Sequence, residues 1–460
     1  MRVCIIGLGY IGFPTACVVA RAGHQVIGVD VNAEIIDKLN HGKLHIVNED
    51  GLEDVARDAF ESGRLRVTTK PEPADVFILA VPTPCRTIPQ SQAVRRAQRE
   101  VAVTSQETVG VDAQTAGTES AAGAEFGADL SFVEASTREI VPYVRTGNLV
   151  VLESTVSPGT TETIVCGILE KETGLVCGKD ICVAHAPERV LPGRILKELT
   201  ENDRIIGGIN EESTDRAVAF YRTFVRGNVV RTDATTAELV KLMENTFRDV
   251  NIALANEFAL ICERLGINVF EVISLANRHP RVKILKPGPG VGGHCIAVDP
   301  YFIVEAAPKE ARLISLARQV NSSMPHHVLS LVERAAQEAA AAGGPIQKIV
   351  ALGASYKPDV GDERESPALE VVALLQTQGY EVLIHDPYIP RFAGDLNAMV
   401  ESADLLVMLT DHQVYRSMLE PSGTKQRMRQ ARIVDTRGFF GPEWDAAGFQ
   451  VVRLGVGQRD

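Results

Sequence analysis

A chain of 460 residues is long enough for two or three domains, each with its own core. Its 45% apolar and 23% charged residues describe an ordinary soluble globular protein, and a net charge of −12 excludes the basic footprint of a nucleic-acid binder. No apolar run is long enough to cross a bilayer, while an acidic total still allows a locally basic pocket for an anionic substrate.

Residues 2–6 form a short apolar strand that runs straight into a glycine-rich turn without a cleavage-like tail. No signal peptide is expected, and a cytoplasmic protein is predicted. A helix follows over 10–22 and a second strand over 25–30, with further strands at 76–81, 149–153 and 181–185 and helical patterns between them. This alternation predicts a parallel sheet covered on both faces. Residues 86–127 are rich in Ala, Gln, Thr, Ser, Gly and Glu and poor in large apolar residues. They are expected to be a mobile surface insert, with altered cofactor access as the alternative.

Residues 235–265 read as one long helix stopped by Gly266. The last third alternates again, with strands at 348–353, 381–386, 405–409 and 432–435 and a helix at 366–378. Gly23-His-Gln-Val-Ile-Gly-Val-Asp30 is echoed by Gly379-Tyr-Glu-Val-Leu-Ile-His-Asp386. The expected fold is therefore α/β, with two doubly wound Rossmann-like domains joined by a long central helix. Its expected limits are 1–230, a central helical segment 231–330, and 331–460.

The eight cysteines at 4, 17, 85, 166, 177, 182, 262 and 295 include no Cys-x-x-Cys, so reduced thiols are expected. Cys177, Cys182 and His185 are poorly spaced for zinc, and no metal site is expected.

Four motifs carry chemistry. Gly7-Leu8-Gly9-Tyr10-Ile11-Gly12 joins the first strand to the first helix, where glycines let backbone N–H groups approach a pyrophosphate. Asp30 ends the next strand, as a ribose-binding carboxylate selective for NAD would. Thr83 and Thr155 follow later strands and are candidates to line the nicotinamide site, or else strand-end hydroxyls satisfying their own turns. Lys241, Asn245 and Arg248 fall on one face of the long helix, as an anion and sugar site or a solvated stripe. Finally, Pro287-Gly-Pro-Gly-Val-Gly-Gly-His-Cys295 makes a rigid loop ending in a cysteine, with Asp299 four residues on. A glycine-rich anion-binding loop would stabilise a thiolate, against the bland reading of an inert buried thiol.

Together these motifs resemble the UDP-glucose/GDP-mannose dehydrogenase family. The likeness extends to Ala186-Pro-Glu-Arg-Val-Leu-Pro-Gly193, Asn202-Asp-Arg204, residues 241–256, Asn277-Arg-His-Pro-Arg-Val282 and Gly292-Gly-His-Cys-Ile-Ala-Val-Asp-Pro300. The resemblance covers nearly all of the chain outside 86–127. It implies a four-electron oxidation of a UDP-sugar C6 alcohol to a carboxylate with NAD, in a homodimer with no membrane or nucleic-acid partner.

The resemblance also implies residue roles. Cys295 would be the nucleophile, Lys241 and Asn245 would stabilise oxyanions, and Asp299 would orient Lys241 or a water. Thr155 and Glu188 would handle water and proton transfer. Arg189, Val190, Arg248, His279, Arg281, Gly292, Lys357 and Arg437 would contact substrate, and Arg364 would reach NAD.

Two departures from the glucose enzymes, Val298 for a lysine and Pro192 for a second glutamate, point to a 2-acetamido sugar. The expected substrate is UDP-N-acetyl-D-mannosamine. UDP-N-acetylglucosamine or UDP-glucose are rivals within the family. Outside it stand a two-electron hydroxyacid dehydrogenase and a catalytically silent NAD-binding protein.

Overall fold

The computed structural model describes residues 1–46, 49–88, 125–190 and 193–457. They divide into two compact units, Met1–Met243 with Tyr301–Pro308, and Glu244–Pro300 with Lys309–Asp460.

The first unit is built on an eight-stranded sheet. Its strands are β1 (Arg2–Ile6), β2 (Gln25–Val29), β3 (Leu65–Thr68), β4 (Val76–Leu79), β7 (Leu149–Leu152), β8 (Cys182–His185), β9 (Arg204–Gly208) and β10 (Val229–Asp233). The order is β10-β9-β8-β7-β4-β1-β2-β3, so the direction of winding reverses between β1 and β4. Alternation along β1 explains the double cover: Val3 and Ile5 join one apolar cluster, while Cys4 and Ile6 join the other.

The expectation of a wholly parallel sheet is corrected at one point. β9 runs antiparallel to β8, pairing Ala184 with Gly208 and His185 with Gly207, whereas β10 is parallel to β9. The segment after β8 returns without a full crossover, so β9 starts where the parallel strands end.

The flanks of the expected insert also differ from a free loop. β5 (Cys85–Ile88) and β6 (Glu125–Ala128) form an antiparallel ladder that pairs Cys85 with Ala128 and Ile88 with Glu125. The interior of that segment, 89–124, lies outside the described residues, as does Pro192.

The second unit holds five parallel strands, β11 (Lys348–Leu352), β12 (Glu381–His385), β13 (Leu405–Met408), β14 (Arg432–Asp435) and β15 (Gln450–Arg453), in the order β12-β11-β13-β14-β15. This is the other common doubly wound order, with its switch point between β11 and β13. Ile349 and Ala351 face one cluster, Val350 and Leu352 the other.

Five helices position the site: α1 (Gly12–Arg21), α2 (Ala234–Leu265), α3 (Asp299–Ala306), α4 (Arg312–Ala341) and α5 (Pro367–Thr377). α2 stops at Gly266, whose φ of +68° suits a residue without Cβ. The boundary expected at 330/331 falls in the middle of α4. Its apolar stripe of Val328, Leu331, Val332, Ala335 and Ala339 continues through that point and packs in one cluster with Ile349 and Val434.

The sequence echo is structural. Asp30, after β2, accepts from Leu8 N–H at 2.9 Å and Asn32 N–H at 2.8 Å. Asp386, after β12, accepts from Ala354 N–H at 2.8 Å, Ser355 N–H at 3.0 Å and Tyr388 N–H at 2.9 Å. Each carboxylate pins the loop that follows the first strand of its unit. No helix among the described residues is long and apolar enough to cross a membrane.

Candidate active site

In the first unit the β1–α1 turn fits a dinucleotide. Gly7 has φ +93°, and a Cβ there would stand 2.4 Å from Ala80 O. A Cβ on Gly12 would stand 1.9 Å from Gly7 O, so the turn admits only glycine at both positions. At Gly9 a Cβ would meet nothing within 4 Å, leaving open the face where a phosphate approaches backbone N–H groups. Asp30 is anchored through Leu8 and Asn32 at the end of β2, where it can meet a ribose. Tyr10 donates its hydroxyl to Glu49, which also accepts from Gly193 N–H and Ile195 N–H. Ile11 is half-buried beside it.

The loops after β4 and β7 are tied together. Thr83 Oγ1 donates to Thr155 O at 2.6 Å, and Ser154 Oγ donates to Val81 O at 2.7 Å. The Thr83 hydroxyl therefore braces the Thr155 backbone. Glu238, near the start of α2, is buried and accepts three hydrogen bonds: from Gly159 N–H at 2.5 Å, Thr161 N–H at 2.8 Å and Thr161 Oγ1 at 2.6 Å. Burial pushes this carboxyl up to about 6 against the opposing hydrogen bonds from Thr161 and Gly159. The contact fastens the Thr155 loop to the helix that carries Lys241, three residues on.

Glu188 lies three residues beyond β8 and is buried. Its carboxylate accepts from Arg189 N–H at 2.6 Å and pairs with the buried guanidinium of Arg204. Arg189 and Val190 are half-buried beside it.

In the second unit Asn245 Nδ2 donates to Asp299 Oδ2 at 2.6 Å. Cys295 O accepts from Asp299 N–H at 2.8 Å and Val298 N–H at 3.1 Å, which fixes the cysteine at the entry to α3. Cys295 is half-buried, and its thiol interacts electrostatically with the Tyr356 and Arg364 side chains. Tyr356 feels Arg248 as well. Lys241 and Asn245 are neighbours one turn apart on α2.

The loop before Cys295 is threaded through narrow space. A Cβ on Gly292 would stand 2.3 Å from Glu365 O, and one on Gly288 would stand 2.1 Å from Arg437 Nη1. Gly293 N–H donates to Arg364 O at 3.0 Å. Arg437 donates from Nη1 to Pro287 O at 3.2 Å and from Nε to Asp411 Oδ1 at 2.9 Å. Pro289, Gly290, Tyr356, Thr410, Asp411 and Arg437 line one pocket at the β11/β13 switch point. Lys357 is exposed next to it and Arg364 is chelated by Asp362, with contacts of 2.9 and 2.6 Å. His279 and Arg281 stand on the exposed turn 277–282, whose base Asn277 clamps through Ile284.

Sequence reasoning missed the buried scaffold beneath this loop. Asp249 accepts from Arg318 Nη1 at 2.6 Å and Asn321 Nδ2 at 2.8 Å. Asn256 donates to Asn321 at 2.9 Å and accepts from Gly288 N–H at 2.9 Å. A signal was present: Asp249 and Asn256, seven residues apart, place polar groups on the apolar face of a helix, where each needs a partner. No group of three or more His, Cys, Asp or Glu suited to a metal occurs among the described residues.

Comparison with known proteins agrees with this arrangement. Three models of the UDP-glucose/GDP-mannose dehydrogenase family match: its NAD binding domain over residues 1–225, its central domain over 235–323 and its UDP binding domain over 350–442. A UDP-N-acetyl-D-mannosamine dehydrogenase of Methanocaldococcus jannaschii is 44% identical over 99% of this chain and 97% of its own length. An NDP-N-acetyl-D-galactosaminuronic acid dehydrogenase of Ralstonia nicotianae is 44% identical over 97% of each. The solved UDP-D-ManNAc dehydrogenase of Pyrococcus horikoshii superposes with a TM-score of 0.85 at 40% identity, covering 100% of both chains.

Proposed function

The chain belongs to the UDP-glucose/GDP-mannose dehydrogenase family, and from that premise we propose that it oxidises C6 of UDP-N-acetyl-D-mannosamine to the carboxylate through a thioester on Cys295. It is an NAD-dependent nucleotide-sugar dehydrogenase. The observation that carries the cysteine mechanism is the junction at Asp299. One residue both anchors the backbone of Cys295 and holds the amide of Asn245, so thiol and oxyanion donor are registered to each other.

When bound at the Gly7–Gly12 turn, the dinucleotide supplies a hydride acceptor in each of two rounds. The chain does the rest. Arg437 and the Tyr356–Pro358 loop hold the nucleotide, leaving C6 for the Cys295 loop. Lys241 and Asn245 donate to the C6 oxygen as charge develops on it. The thiolate of Cys295 adds to the aldehyde carbon and forms a C–S bond, and loss of a second hydride leaves a thioester. Water, aided by Glu188 and Thr155, then breaks the C–S bond, releasing the carboxylate and regenerating the thiol. Each sugar thus reduces two cofactor molecules.

The relatives named for mannosamine and galactosamine sugars support a 2-acetamido substrate. NADH formed per sugar decides it, measured with UDP-linked N-acetylmannosamine, N-acetylglucosamine, N-acetylgalactosamine and glucose. Two NADH per N-acetylmannosamine unit and the highest kcat/KM with that sugar are expected. Preference for another sugar overturns the substrate, and one NADH per sugar overturns the chemistry.

A homodimer is supported by α2. Phe247 (73% exposed), Leu254 (43%) and Ile261 (44%) recur every seven residues along one stripe, with Leu265 (63%) beyond them. A row of exposed apolar side chains of this kind is stable when covered by a second copy. Arg281, on its exposed turn, is available to a partner's site. Light scattering after gel filtration should give twice the chain mass, and a monomer would refute the dimer. No disulfide joins any of the eight cysteines, all of which lie among the described residues, which suits a reducing cytoplasm.

A further inference from the structure

We infer that Arg204 is the positioning residue for Glu188, brought to the C-terminal edge of the sheet by the antiparallel direction of β9. Arg204 is the first residue of β9. Because β9 opposes β8, its beginning lies beside the end of β8. Continuing the register of Ala184 with Gly208 and His185 with Gly207 sets position 188 opposite position 204. A parallel β9 would instead have brought Gly208 to that edge and left Glu188 without a cation.

The guanidinium is buried and shared. Nη1 pairs with Glu188 Oε2, and Nη2 lies 3.4 Å from Glu153 Oε1. Tyr221 donates its hydroxyl to the same Glu153 oxygen at 2.7 Å and presents its ring 5.1 Å from the guanidinium carbon. No protein donor reaches Glu153 Oε2 among the described residues. One cation between two carboxyls has a lower cost when one of them is neutral. Glu153 is the one more readily neutral: burial, only partly offset by Arg204, raises it to about 7, so it is mostly protonated below that pH. His185 is buried as well, and burial holds it neutral by lowering it to about 3. Arg204 is thereby left to Glu188, which it fixes against the Arg189 backbone with its second oxygen already committed.

This inference rests on the reading of Glu188 as the group that handles water and proton at the thioester. The test is the pH dependence of NADH formation from UDP-N-acetyl-D-mannosamine in wild type, Glu188→Gln, Arg204→Lys and Arg204→Met. Thermal melting and NADH binding serve as checks of fold. Lysine keeps the charge but loses the fork that spans both carboxyls. For Arg204→Lys we expect kcat to fall about 10- to 100-fold, with KM for the sugar nucleotide held within about threefold. The acid limb of kcat should move up in Arg204→Lys and further in Arg204→Met, because a single ammonium cannot span both carboxyls and methionine carries no charge. A purely structural arginine would lower melting temperature and activity together and leave the limb in place, and that result overturns the inference. Should Arg204→Met not fold, the lysine variant carries the test alone. Full activity in Glu188→Gln would remove the role of Glu188 and this inference with it. An impaired Glu188→Gln beside an unshifted Arg204→Lys removes the inference only.

Discussion

Asn245 and Asp299 are 54 residues apart in the chain and joined by a 2.6 Å hydrogen bond from amide to carboxylate. Through it the central helix α2 is tied to the start of α3, and the backbone of Cys295 hangs from the same aspartate. Asp299→Asn removes the charge and can turn a donor toward Asn245. We expect kcat to fall about 100-fold with little loss of melting temperature, since misplacing a reacting group by about 1 Å costs that much. Steady-state NADH production with purified variant checks it, and a change in KM alone would contradict it.

Cys295→Ser keeps the loop and removes the thiolate. The variant should bind UDP-N-acetyl-D-mannosamine and NAD normally and form no uronate. At most one hydride per site is transferred, because an alcohol cannot hold the aldehyde as a thioester for the second oxidation. Single-turnover absorbance of NADH, paired with mass analysis of the sugar product, reads this directly.

Glu238→Gln tests the fastening of the Thr155 loop. The amide oxygen can keep the two Thr161 donors, and its NH2 then meets Gly159 N–H, a donor, where the carboxylate offered an acceptor. A loss of about 1–3 kcal/mol in stability is expected. kcat should fall more than NADH affinity does. Denaturant unfolding and fluorescence titration separate the two effects.

Glu153→Gln gives a pH-dependent stability change whose sign follows from the raised carboxyl. A group raised from 4.5 to about 7 in the fold contributes stability in full below about pH 4.5, and that contribution is lost as pH rises through about 7. The full shift corresponds to about 3 kcal/mol. Relative to wild type, the glutamine variant should therefore gain in melting temperature between about pH 4.5 and pH 7 and keep a constant advantage above that. Parallel melting curves for the two proteins across that range would show that Glu153 is already ionised.

Gly292→Ala places a methyl group 2.3 Å from Glu365 O and 2.7 Å from Tyr356 Cβ. The loop must move, at a cost of about 1–3 kcal/mol. Since Tyr356 lines the pocket at the β11/β13 switch point, where we propose the nucleotide binds, KM for the sugar nucleotide should rise several-fold while cofactor affinity is preserved. Isothermal titration with UDP and with NADH distinguishes these.

What the sequence determined by itself is local. Strand–turn–helix order, the glycines at 7, 9 and 12, the stop at Gly266, and the paired Gly…Asp segments at 23–30 and 379–386 all follow from φ preference and apolar period. Those forces act within a few residues of chain. The echo of Asp30 and Asp386 is local only in part: each carboxylate closes its own turn at Asn32 or Tyr388, but also reaches Leu8 or Ala354 after the first strand of its unit. The direction of β9 was decided only in three dimensions, and with it the meeting of Arg204, Glu188, Glu153 and Tyr221. Likewise, Asp249, Asn256, Arg318 and Asn321 become one scaffold only once α4 lies along α2. Buried polar groups must find partners wherever the fold brings them, and partners 69 or 72 residues away leave no period in the chain to be read.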